Sequence, residues 1–487
     1  MLLRRRFLHL AGLSGLSLLG IPWLGCATPE STTPDDNPTP DPLPDDPNKP
    51  WWLRQNFAPV DESEAFDLEI VGALPPSLAG LYLRNGPNPL SGDSGHWFLG
   101  DGMVHGIRLE NGKAPWYRAR YIQTEILGKP EGGDPLSLTA HGANTAIVHH
   151  ADRLLCLEEV GVPYEISPED LSTIGPWDFA GKLATAMTAH PKIDPKTGEL
   201  FFFGYGLLDS SITYHRADAN GVILASEKIP LPKAVMMHDF QLTATHAVFL
   251  DLPIVFDLSM AIDGSPFPFK WAPENGSRIG VMPRAGTAAD VIWIDVDTCF
   301  VFHTFNAFHD PQNAAIIHLD AVRYDEMWVD GPSDFEQVGK PVRFSIDTAA
   351  KKVTTTPFDD RLVEFPRISR ARQGLPYRYG YSISGSQSAL GEGSVNAFGQ
   401  IVKHDRETGN ATTLTLPAGQ EAAEALFVPD EAAGNEDDGW VLSYVFDHAD
   451  NRSQLLVADA TTMKEVARVK LPKRVPHGFH GEFVPAK

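Results

Sequence analysis

The sequence of residues 51–487 predicts an all-β fold of the β-propeller type, on three observations. Short segments rich in β-branched and aromatic residues recur along the chain, as strands do. Turn signals such as Asp194-Pro-Lys-Thr-Gly198 and Asp405-Arg-Glu-Thr-Gly409 separate many of these segments. Amphipathic helix patterns are few, with short candidates at 168–174 and 419–426. So many strands exceed a comfortable two-sheet sandwich, whereas a propeller accommodates them.

The predicted strands are spread along the whole of this region. Their bounds are 81–84, 145–149, 154–158, 200–205, 247–252, 291–295, 299–304, 353–356, 440–446 and 454–459. No second linker and no change of composition interrupts residues 51–487, so we expect a single domain there. No sequence repeat is clear enough to give the number of blades.

The composition is that of a globular protein and excludes some partners. Of the 487 residues 43% are hydrophobic and 21% are charged. The formal net charge of −23 argues against nucleic acid, because binding there depends on neutralising phosphates. It also argues against an anionic membrane surface. Cys156 and Cys299 lie in apolar runs and are predicted to be buried free thiols, with one disulfide as the alternative.

The first 26 residues are predicted to be an export signal. A basic start, Arg4-Arg-Arg-Phe-Leu8, precedes an apolar run that reaches Cys26. The paired arginines before Phe-Leu resemble a twin-arginine signal, which exports proteins that have already folded. We therefore expect the protein in the periplasm or at the extracytoplasmic face of a membrane. The alternative is a single N-terminal membrane anchor, because the apolar run is only slightly short of a span.

The residues around Cys26 leave two processing routes open. Leu24-Gly25-Cys26 is similar to the cleavage box of a bacterial lipoprotein, whereas Gly25-Cys26-Ala27 fits an ordinary signal peptidase. Residues 28–50 hold eight prolines and six acidic residues without an apolar period. Such a composition cannot form a packed core, so residues 27–50 are predicted to be a disordered tether. A tether at this place mildly favours a lipid anchor on Cys26.

Four of the seventeen histidines are candidate metal ligands. Their contexts are Thr188-Ala-His190-Pro191, Met236-Met-His238-Asp-Phe240, Phe302-His303-Thr-Phe-Asn-Ala307 and Val475-Pro-His-Gly-Phe-His480-Gly481. Separations of 48, 65 and 177 residues exclude a local zinc finger or knuckle. They fit ligands that arise from separate propeller blades and meet on the central axis. Taken singly, each of them is more often a structural or surface histidine.

The chain resembles the carotenoid cleavage oxygenases, a family that includes the retinal pigment epithelium isomerase and the lignostilbene dioxygenases. The resemblance covers residues 51–487. Besides the histidine contexts it rests on Leu81-Tyr-Leu-Arg-Asn-Gly-Pro-Asn-Pro89, Gly100-Asp-Gly-Met-Val-His105, Gly374-Leu-Pro-Tyr-Arg-Tyr-Gly-Tyr381, Glu436-Asp-Asp-Gly439 and Gly478-Phe-His-Gly481. It implies a seven-bladed β-propeller with Fe(II) on its axis and a cap of loops and short helices over the iron site.

The resemblance also implies the site residues. The iron ligands, which are the catalytic centre, match His190, His238, His303 and His480. Three glutamates that accept hydrogen bonds from the ligand imidazoles match Glu159, Glu364 and Glu424, and Glu158 competes with Glu159 for the first position. A carboxylate on one imidazole nitrogen fixes the tautomer and aims the other nitrogen at the metal. His105, His149, His150, His309 and His477 are less favoured as ligands.

The implied activity is a dioxygenase reaction that cleaves a C=C bond of a carotenoid or apocarotenoid into two carbonyl products. The implied partners are O2 and an apolar polyene, with membrane contact for substrate uptake and a monomeric state. Stilbene-cleaving members recognise a phenol with a tyrosine and a lysine near the front of the chain. Neither is evident in 96–100 or 120–126, so a lignostilbene dioxygenase is the alternative. A non-catalytic propeller that binds a polyene is a third hypothesis.

Aromatic residues beside these motifs are candidates for an apolar tunnel that positions the substrate. They are Trp97, Phe98, Phe240, Phe305 and Phe308. Packing in the core is the equally weighted alternative for each of them. His105 is a candidate for the entrance of such a tunnel.

Overall fold

Residues 42–486 are described by the computed structural model, apart from residues 130–132, 135–136, 207–209, 334, 336–338, 386–397, 431 and 433. The predicted signal, Cys26 and most of the predicted tether lie outside the described residues. At residues 42–50 the chain contacts later segments. Asp45 pairs with Arg54 at 2.7 Å, and Lys49 Nζ donates to the carbonyl oxygen of Gly92 at 2.9 Å.

Five four-stranded antiparallel sheets follow one another along the chain and form blades 1 to 5 of a β-propeller. Blade 1 contains Ala146–His150, Arg153–Leu157, Tyr164–Ile166 and Thr173–Pro176. Blade 2 contains Lys192–Ile193, Leu200–Tyr205, Ser211–Ala217 and Ile223–Pro230. Blade 3 contains Gln241–Leu242, His246–Asp251, Ser277–Pro283 and Ile292–Val296. Blade 4 contains Thr304–His309, Ile316–Arg323, Lys340–Asp347 and Lys352–Pro357. Blade 5 contains Val363–Ile368, Tyr379–Ser384, Gln400–Asp405 and Ala411–Thr415.

Blades 6 and 7 join the two ends of the domain and close the ring. Blade 6 contains Gln420–Ala422, Leu426–Pro429, Gly439–Asp447, Arg452–Asp459, Lys464–Lys470 and, at its edge, Ile70–Gly72. Blade 7 contains Gly481–Pro485, Gly80–Pro87, Gly102–Glu110, Lys113–Tyr121 and, at its edge, Ser63–Phe66. Pairing of the last strand of the chain with an early strand satisfies backbone groups that an open ring would leave at an edge. The seven-bladed propeller is therefore confirmed.

The strands of a blade become more polar from the axis to the rim. The first strands of neighbouring blades contact one another around the axis. In blade 4 the first strand, Thr304–His309, is buried except at its last residue, whereas the last strand, Lys352–Pro357, is largely exposed. Its sequence KVTTTP contains β-branched residues, which favour an extended backbone even where they are exposed. The hydrophobic core consequently lies near the axis and between blades.

Elements outside the blades are short. They are the two-stranded sheet Ile254–Phe256 with Phe269–Trp271, the α-helix Leu258–Ile262, and the 3-10 helices Trp51–Leu53, Gln55–Phe57, Trp97–Leu99, Pro273–Asn275, Ala288–Asp290 and Arg370–Arg372. Within the described residues no helix is long and apolar enough to cross a membrane. Cys156 and Cys299 are buried and free, as predicted.

Most of the local predictions are confirmed, and three are wrong. Every predicted strand except 299–304 coincides largely with an observed one; there the strand begins only at Thr304. The two helix candidates, 168–174 and 419–426, contain turns and parts of strands. Thr173–Pro176 pairs with a neighbouring strand of blade 1, and Gln420–Ala422 pairs with one of blade 6. Pairing within the blades overrides the short helical pattern, because local propensity is weak.

The predicted turn at 194–198 shows how the sequence connects two strands. The Asp194 carboxylate accepts hydrogen bonds from the backbone N–H of Lys196 at 2.8 Å and of Thr197 at 2.9 Å. Gly198 then adopts φ +70°, a conformation that favours glycine. This turn closes the first hairpin of blade 2, directly after the segment that carries His190.

Candidate metal centre

The four candidate histidines converge on the propeller axis. His303 and His480 directly precede the first strands of blades 4 and 7, and His190 and His238 lie just before those of blades 2 and 3. One ring nitrogen from each lies within 4.8 Å of those of the other three. The innermost strands thus bring together four imidazoles that are far apart in sequence.

Three glutamates contact three of these imidazoles through Nδ1. The pairs are His303 with Glu364 at 2.6 Å, His480 with Glu424 at 2.8 Å, and His238 with Glu159. Glu158 turns away from His238, and its Oε2 accepts from the backbone N–H of Ala143 at 2.7 Å. The glutamates belong to blades 1, 5 and 6 and the histidines to blades 2, 3, 4 and 7, so each blade contributes one of these seven residues.

The imidazoles fit a metal ion at their centre. In His238 and His303 the Nδ1 proton faces a carboxylate, so each Nε2 carries its lone pair inward. These two Nε2 atoms lie 3.2 Å apart, and those of His190 and His238 lie 3.0 Å apart. Lone pairs at such distances repel one another unless a cation lies among them. Imidazole suits first-row transition metals such as iron, copper, nickel and zinc, and the cluster can hold such an ion.

Burial keeps two of the imidazoles neutral. It lowers the pKa of His190 well below its ordinary value, and the neighbouring imidazoles add to the effect. Burial also lowers the pKa of His480 to about 4, although the Glu424 carboxylate opposes the shift. For His238 the effect of burial is outweighed by the Glu159 carboxylate, which raises the pKa. A metal ligand must be neutral imidazole, so the first two are ready to coordinate.

Each of the three glutamates has a further partner. The pairs are Tyr205 with Glu159 at 2.5 Å, Tyr324 with Glu364 at 2.6 Å, and Arg367 with Glu424 at 2.8 and 2.9 Å. Burial opposes ionisation of Glu424, but Arg367 and His480 outweigh it and hold its pKa below the usual range. Burial is likewise outweighed at Glu364, where His303 and Tyr324 lower the pKa. These two carboxyl groups are therefore ionised, and they accept hydrogen bonds from the Nδ1–H groups of His303 and His480.

An ion pair on the axis links the loops that carry three of the histidines. Asp239 follows His238 and accepts from the backbone N–H and the hydroxyl of Thr304 at 3.0 and 2.6 Å. Its other oxygen pairs with Lys192 at 2.7 Å. Because Thr304 follows His303 and Lys192 lies two residues after His190, these contacts fix the chain beside all three ligands. Sequence reasoning missed this pair, although both residues stand within two positions of a candidate histidine.

A bulge in blade 5 directs two consecutive side chains toward the centre. The pairing register shifts between Glu364 and Arg367, and Phe365 adopts φ +52°, which is uncommon for a non-glycine residue. The ring of Phe365 stacks on that of His303 at 5.3 Å between centroids. The strained residue therefore supports one ligand while the preceding glutamate hydrogen-bonds to it.

An apolar cavity of about 260 Å³ opens onto the imidazoles. His238, His303 and His480 form part of its wall. Most of the remaining lining is aromatic or aliphatic, including Trp97, Phe98, Leu99, Met236, Phe267, Phe269, Phe302, Met327, Phe335, Phe365, Phe398 and Phe479. The short elements outside the blades supply several of these residues, as expected of a cap over the site. The arrangement places an apolar molecule directly beside the metal position.

The predicted tunnel residues divide into two groups. Trp97 and Phe98 line the cavity as predicted. Phe240, Phe305 and Phe308 do not line it, and they pack in the hydrophobic core. Their side chains lie on the innermost strands or beside them, where the sheet directs them between blades. Closeness to a histidine motif in the sequence therefore does not predict which aromatic residues line the cavity and which pack in the core.

The other histidines have local roles. His105 is buried and hydrogen-bonds to the Tyr117 hydroxyl at 2.9 Å, so its predicted position at the cavity entrance is wrong. His477 is also buried and pairs with Glu421 at 2.6 Å, facing away from the four ligands. In both cases a polar partner satisfies the hydrogen-bonding need of the buried imidazole.

Fold and centre together define a class: a seven-bladed propeller with a four-histidine cluster on its axis that could hold a metal ion, beneath an apolar cavity. The chain belongs to the family of the retinal pigment epithelial membrane protein, whose family model matches residues 57–485. It is 35% identical to a carotenoid cleavage oxygenase of Mycobacterium tuberculosis, over 89% of this chain and 97% of that protein. It is 33% identical to carotenoid 9,10(9',10')-cleavage dioxygenase 1 of Arabidopsis thaliana, over 89% of each.

Solved structures with the same architecture include two oxygenases. The lignostilbene dioxygenase of Pseudomonas brassicacearum superposes with a TM-score of 0.82 at 30% identity, covering 92% of this chain and 100% of that one. The cobalt-substituted apocarotenoid oxygenase of Synechocystis superposes with a TM-score of 0.80 at 29% identity, covering 90% of this chain and 98% of that one. That relative's structure contains a substituted metal, in agreement with a metal site in this fold.

Proposed function

We propose that this protein is a non-haem iron(II) dioxygenase that cleaves a C=C bond of a carotenoid or apocarotenoid. The observation that carries the proposal is the four-histidine cluster at the wall of an apolar cavity. The reaction adds both atoms of O2 across the broken double bond, so each carbon becomes a carbonyl carbon and no other reductant is required. The names of the relatives at 33–35% identity support the same reaction type.

The chain itself positions the reactants. Iron(II) held by His190, His238, His303 and His480 would supply redox chemistry toward dioxygen. The aromatic walls of the cavity hold a long conjugated molecule and exclude water, and the position of that molecule decides which double bond lies beside the imidazoles. Glu159, Glu364 and Glu424 accept hydrogen bonds from the Nδ1–H groups of His238, His303 and His480 and thereby aim the Nε2 lone pairs at the metal position.

The cavity lining favours a polyene over a phenolic stilbene. Among the described residues, no lysine or arginine lines the cavity. A phenolate would consequently lack a cationic partner, whereas an uncharged hydrocarbon chain is compatible with the aromatic walls. The similarity to the lignostilbene dioxygenase of Pseudomonas brassicacearum keeps stilbene cleavage as the second candidate.

Incubation of the purified protein with carotenoids, apocarotenals and hydroxystilbenes tests the proposal. We expect aldehydes or ketones from the polyenes, identified by mass, with 18O from labelled O2 in both products. Products from stilbenes alone would replace the substrate class by the second candidate. Absence of stoichiometric iron after iron-replete expression, together with absence of any product, would contradict the oxygenase function itself.

We also propose export through the twin-arginine-type signal at 1–26 and activity as a monomer in the periplasm or at a membrane surface. Membrane contact for substrate uptake is supported by exposed apolar residues near the cavity in sequence. Leu258 is 55% exposed, Ile262 is 75% exposed and Val329 is 50% exposed. Leu258 and Ile262 precede the lining residue Phe267 by nine and five residues, and Val329 follows the lining residue Met327 by two. Exposed apolar side chains insert between lipids without needing anionic headgroups.

A further inference from the structure

The polar side chains of the cavity lie in one stretch of the chain. The metal centre and its two tyrosines, Tyr205 and Tyr324, contribute some of the polar lining. Four other polar side chains line the wall: Asp134, Ser137, Thr145 and Glu158. The rest of the described lining beyond the metal centre is aromatic or aliphatic, apart from the backbone. A substrate that fills the cavity therefore meets hydrogen-bonding side chains at these four residues and at the metal centre, and apolar groups elsewhere.

Glu158 is the buried carboxylate of this wall, and it is 9% exposed. Its Oε2 accepts from the backbone N–H of Ala143 at 2.7 Å and lies 3.2 Å from Nδ1 of His141. Within the described part of the chain, the hydrogen bonds of Glu158 all end on this one oxygen. Glu158 belongs to the cavity lining, and its other oxygen, Oε1, has no hydrogen bond within the described residues.

The surroundings hold Glu158 in this orientation. His141 is 3% exposed, and its Nε2 donates to the carbonyl oxygen of Val162 at 2.9 Å. A Cβ on Gly161 would lie 2.1 Å from Cδ2 of His141, so glycine is required for the imidazole to occupy its place. The backbone N–H of Ala143 donates to Oε2 of Glu158 at 2.7 Å and also to Nδ1 of His141 at 3.2 Å, so one donor holds both side chains in place. The carboxylate is thus preorganised rather than mobile.

A carboxylate oxygen without a partner in an apolar cavity discriminates between substrates. A hydrocarbon that fills the cavity removes water from Oε1 and offers no donor, which is unfavourable. A substrate hydroxyl donates to Oε1 and restores the hydrogen bond. We propose that Glu158 is a specificity-determining residue and that it selects a polyene that carries a hydroxyl group. This inference rests on the proposed function, since it names the substrate class of the same site.

A matched pair of substrates tests the inference: a hydrocarbon carotenoid and the same polyene with hydroxylated end rings. For the wild-type protein we expect kcat/KM to be about 10–100-fold higher for the hydroxylated member, the range of one hydrogen bond to a charged group. Glu158→Leu should bring the ratio close to one. Glu158→Gln should keep part of the preference, because the amide oxygen still accepts a hydrogen bond.

Glu165→Gln is the matched control. Glu165 lies in the third strand of blade 1 and pairs with Arg153 at 2.5 Å, outside the cavity lining. It should leave the substrate ratio as in the wild type. A wild-type ratio near one, or an equal ratio in the wild type and Glu158→Leu, would overturn the assignment of Glu158.

Binding without turnover separates this inference from the proposed function. Quenching of tryptophan fluorescence under anaerobic conditions gives dissociation constants for both polyenes, and Trp97 in the cavity wall is a suitable reporter. If neither polyene is cleaved but the hydroxylated one binds tighter in a manner that depends on Glu158, the proposed reaction fails and the selectivity stands. If both are cleaved and bound equally well by wild type and Glu158→Leu, the reaction stands and the selectivity fails.

Discussion

Replacing Glu364 by glutamine should weaken metal binding by about 10–150-fold while the propeller stays folded. The carboxylate accepts three hydrogen bonds of 2.6 Å, from His303 Nδ1, the Tyr324 hydroxyl and the backbone N–H of Phe365. An amide has one oxygen that accepts and a nitrogen that only donates, so at least one donor loses its partner. A hydrogen bond to a charged group contributes about 1.5–3 kcal/mol, and each 1.4 kcal/mol corresponds to a factor of ten in affinity.

Competition with a chromophoric chelator measures the Fe(II) affinity of both proteins after removal of bound metal. Tyr324→Phe gives a graded comparison, because it removes one hydrogen bond from Glu364 and leaves the charge in place. Because the carboxylate stays charged and keeps its hydrogen bonds to His303 and Phe365, we expect a smaller weakening of about two- to tenfold. Glu165→Gln serves as the control for loss of a carboxylate elsewhere. An affinity of Glu364→Gln within twofold of the wild type would refute the reasoning that this carboxylate aims His303.

Further predictions concern the ligands, the pH dependence and the membrane. His303→Ala should purify without stoichiometric iron yet keep its circular dichroism spectrum, and full activity of this variant would contradict its role as a ligand. Burial lowers the pKa of His96 and of His215 to about 4. The unfolded chain binds protons at these two histidines below about pH 6.5, whereas the folded chain binds them only near pH 4. The free energy of unfolding should therefore decrease as the pH is lowered from about 6.5 to about 4, by about 1.4 kcal/mol per pH unit for each proton. Urea denaturation that shows no such decrease would contradict this. Combined substitution of Leu258 and Ile262 by serine should reduce sedimentation with neutral lipid vesicles, and unchanged binding would argue against the proposed membrane contact.

The strands were predictable because each blade is made of short segments with their own local pattern. Leu200–Tyr205, with sequence LFFFGY, has strand composition over its full length, and the structure gives the same bounds. The region 299–304 failed because its apolar residues belong to a loop that packs on the cavity. Phe300 forms only an isolated bridge with Tyr324, and Phe302 is buried without strand pairing. Apolar composition reports burial, and it does not by itself distinguish a buried loop from a strand.

The positions of the four histidines could be predicted because each stands next to recognisable neighbours. The groups behind them could not, since Tyr205, Tyr324 and Arg367 reach the centre through strand pairing and the bulge in blade 5. A tyrosine at the end of an apolar strand has the same sequence pattern whether it faces a core or a carboxylate. The same limit applies to Glu158 and Glu159, which are adjacent in sequence and separated only by the direction in which the chain turns them.

The charges around the centre favour a cation among the imidazoles. His190 and His480 are held neutral by burial, and the Lys192–Asp239 pair on the axis contributes no net charge. Of the two ionised carboxylates that accept hydrogen bonds from the imidazoles, the one on Glu424 is compensated by the bidentate contact with Arg367, whereas the one on Glu364 faces the hydroxyl of Tyr324. The negative charge on Glu364 therefore has no cationic side chain among its hydrogen-bond partners other than the His303 imidazole. A cation among the four imidazoles offsets this charge, which is otherwise costly in a medium of low dielectric.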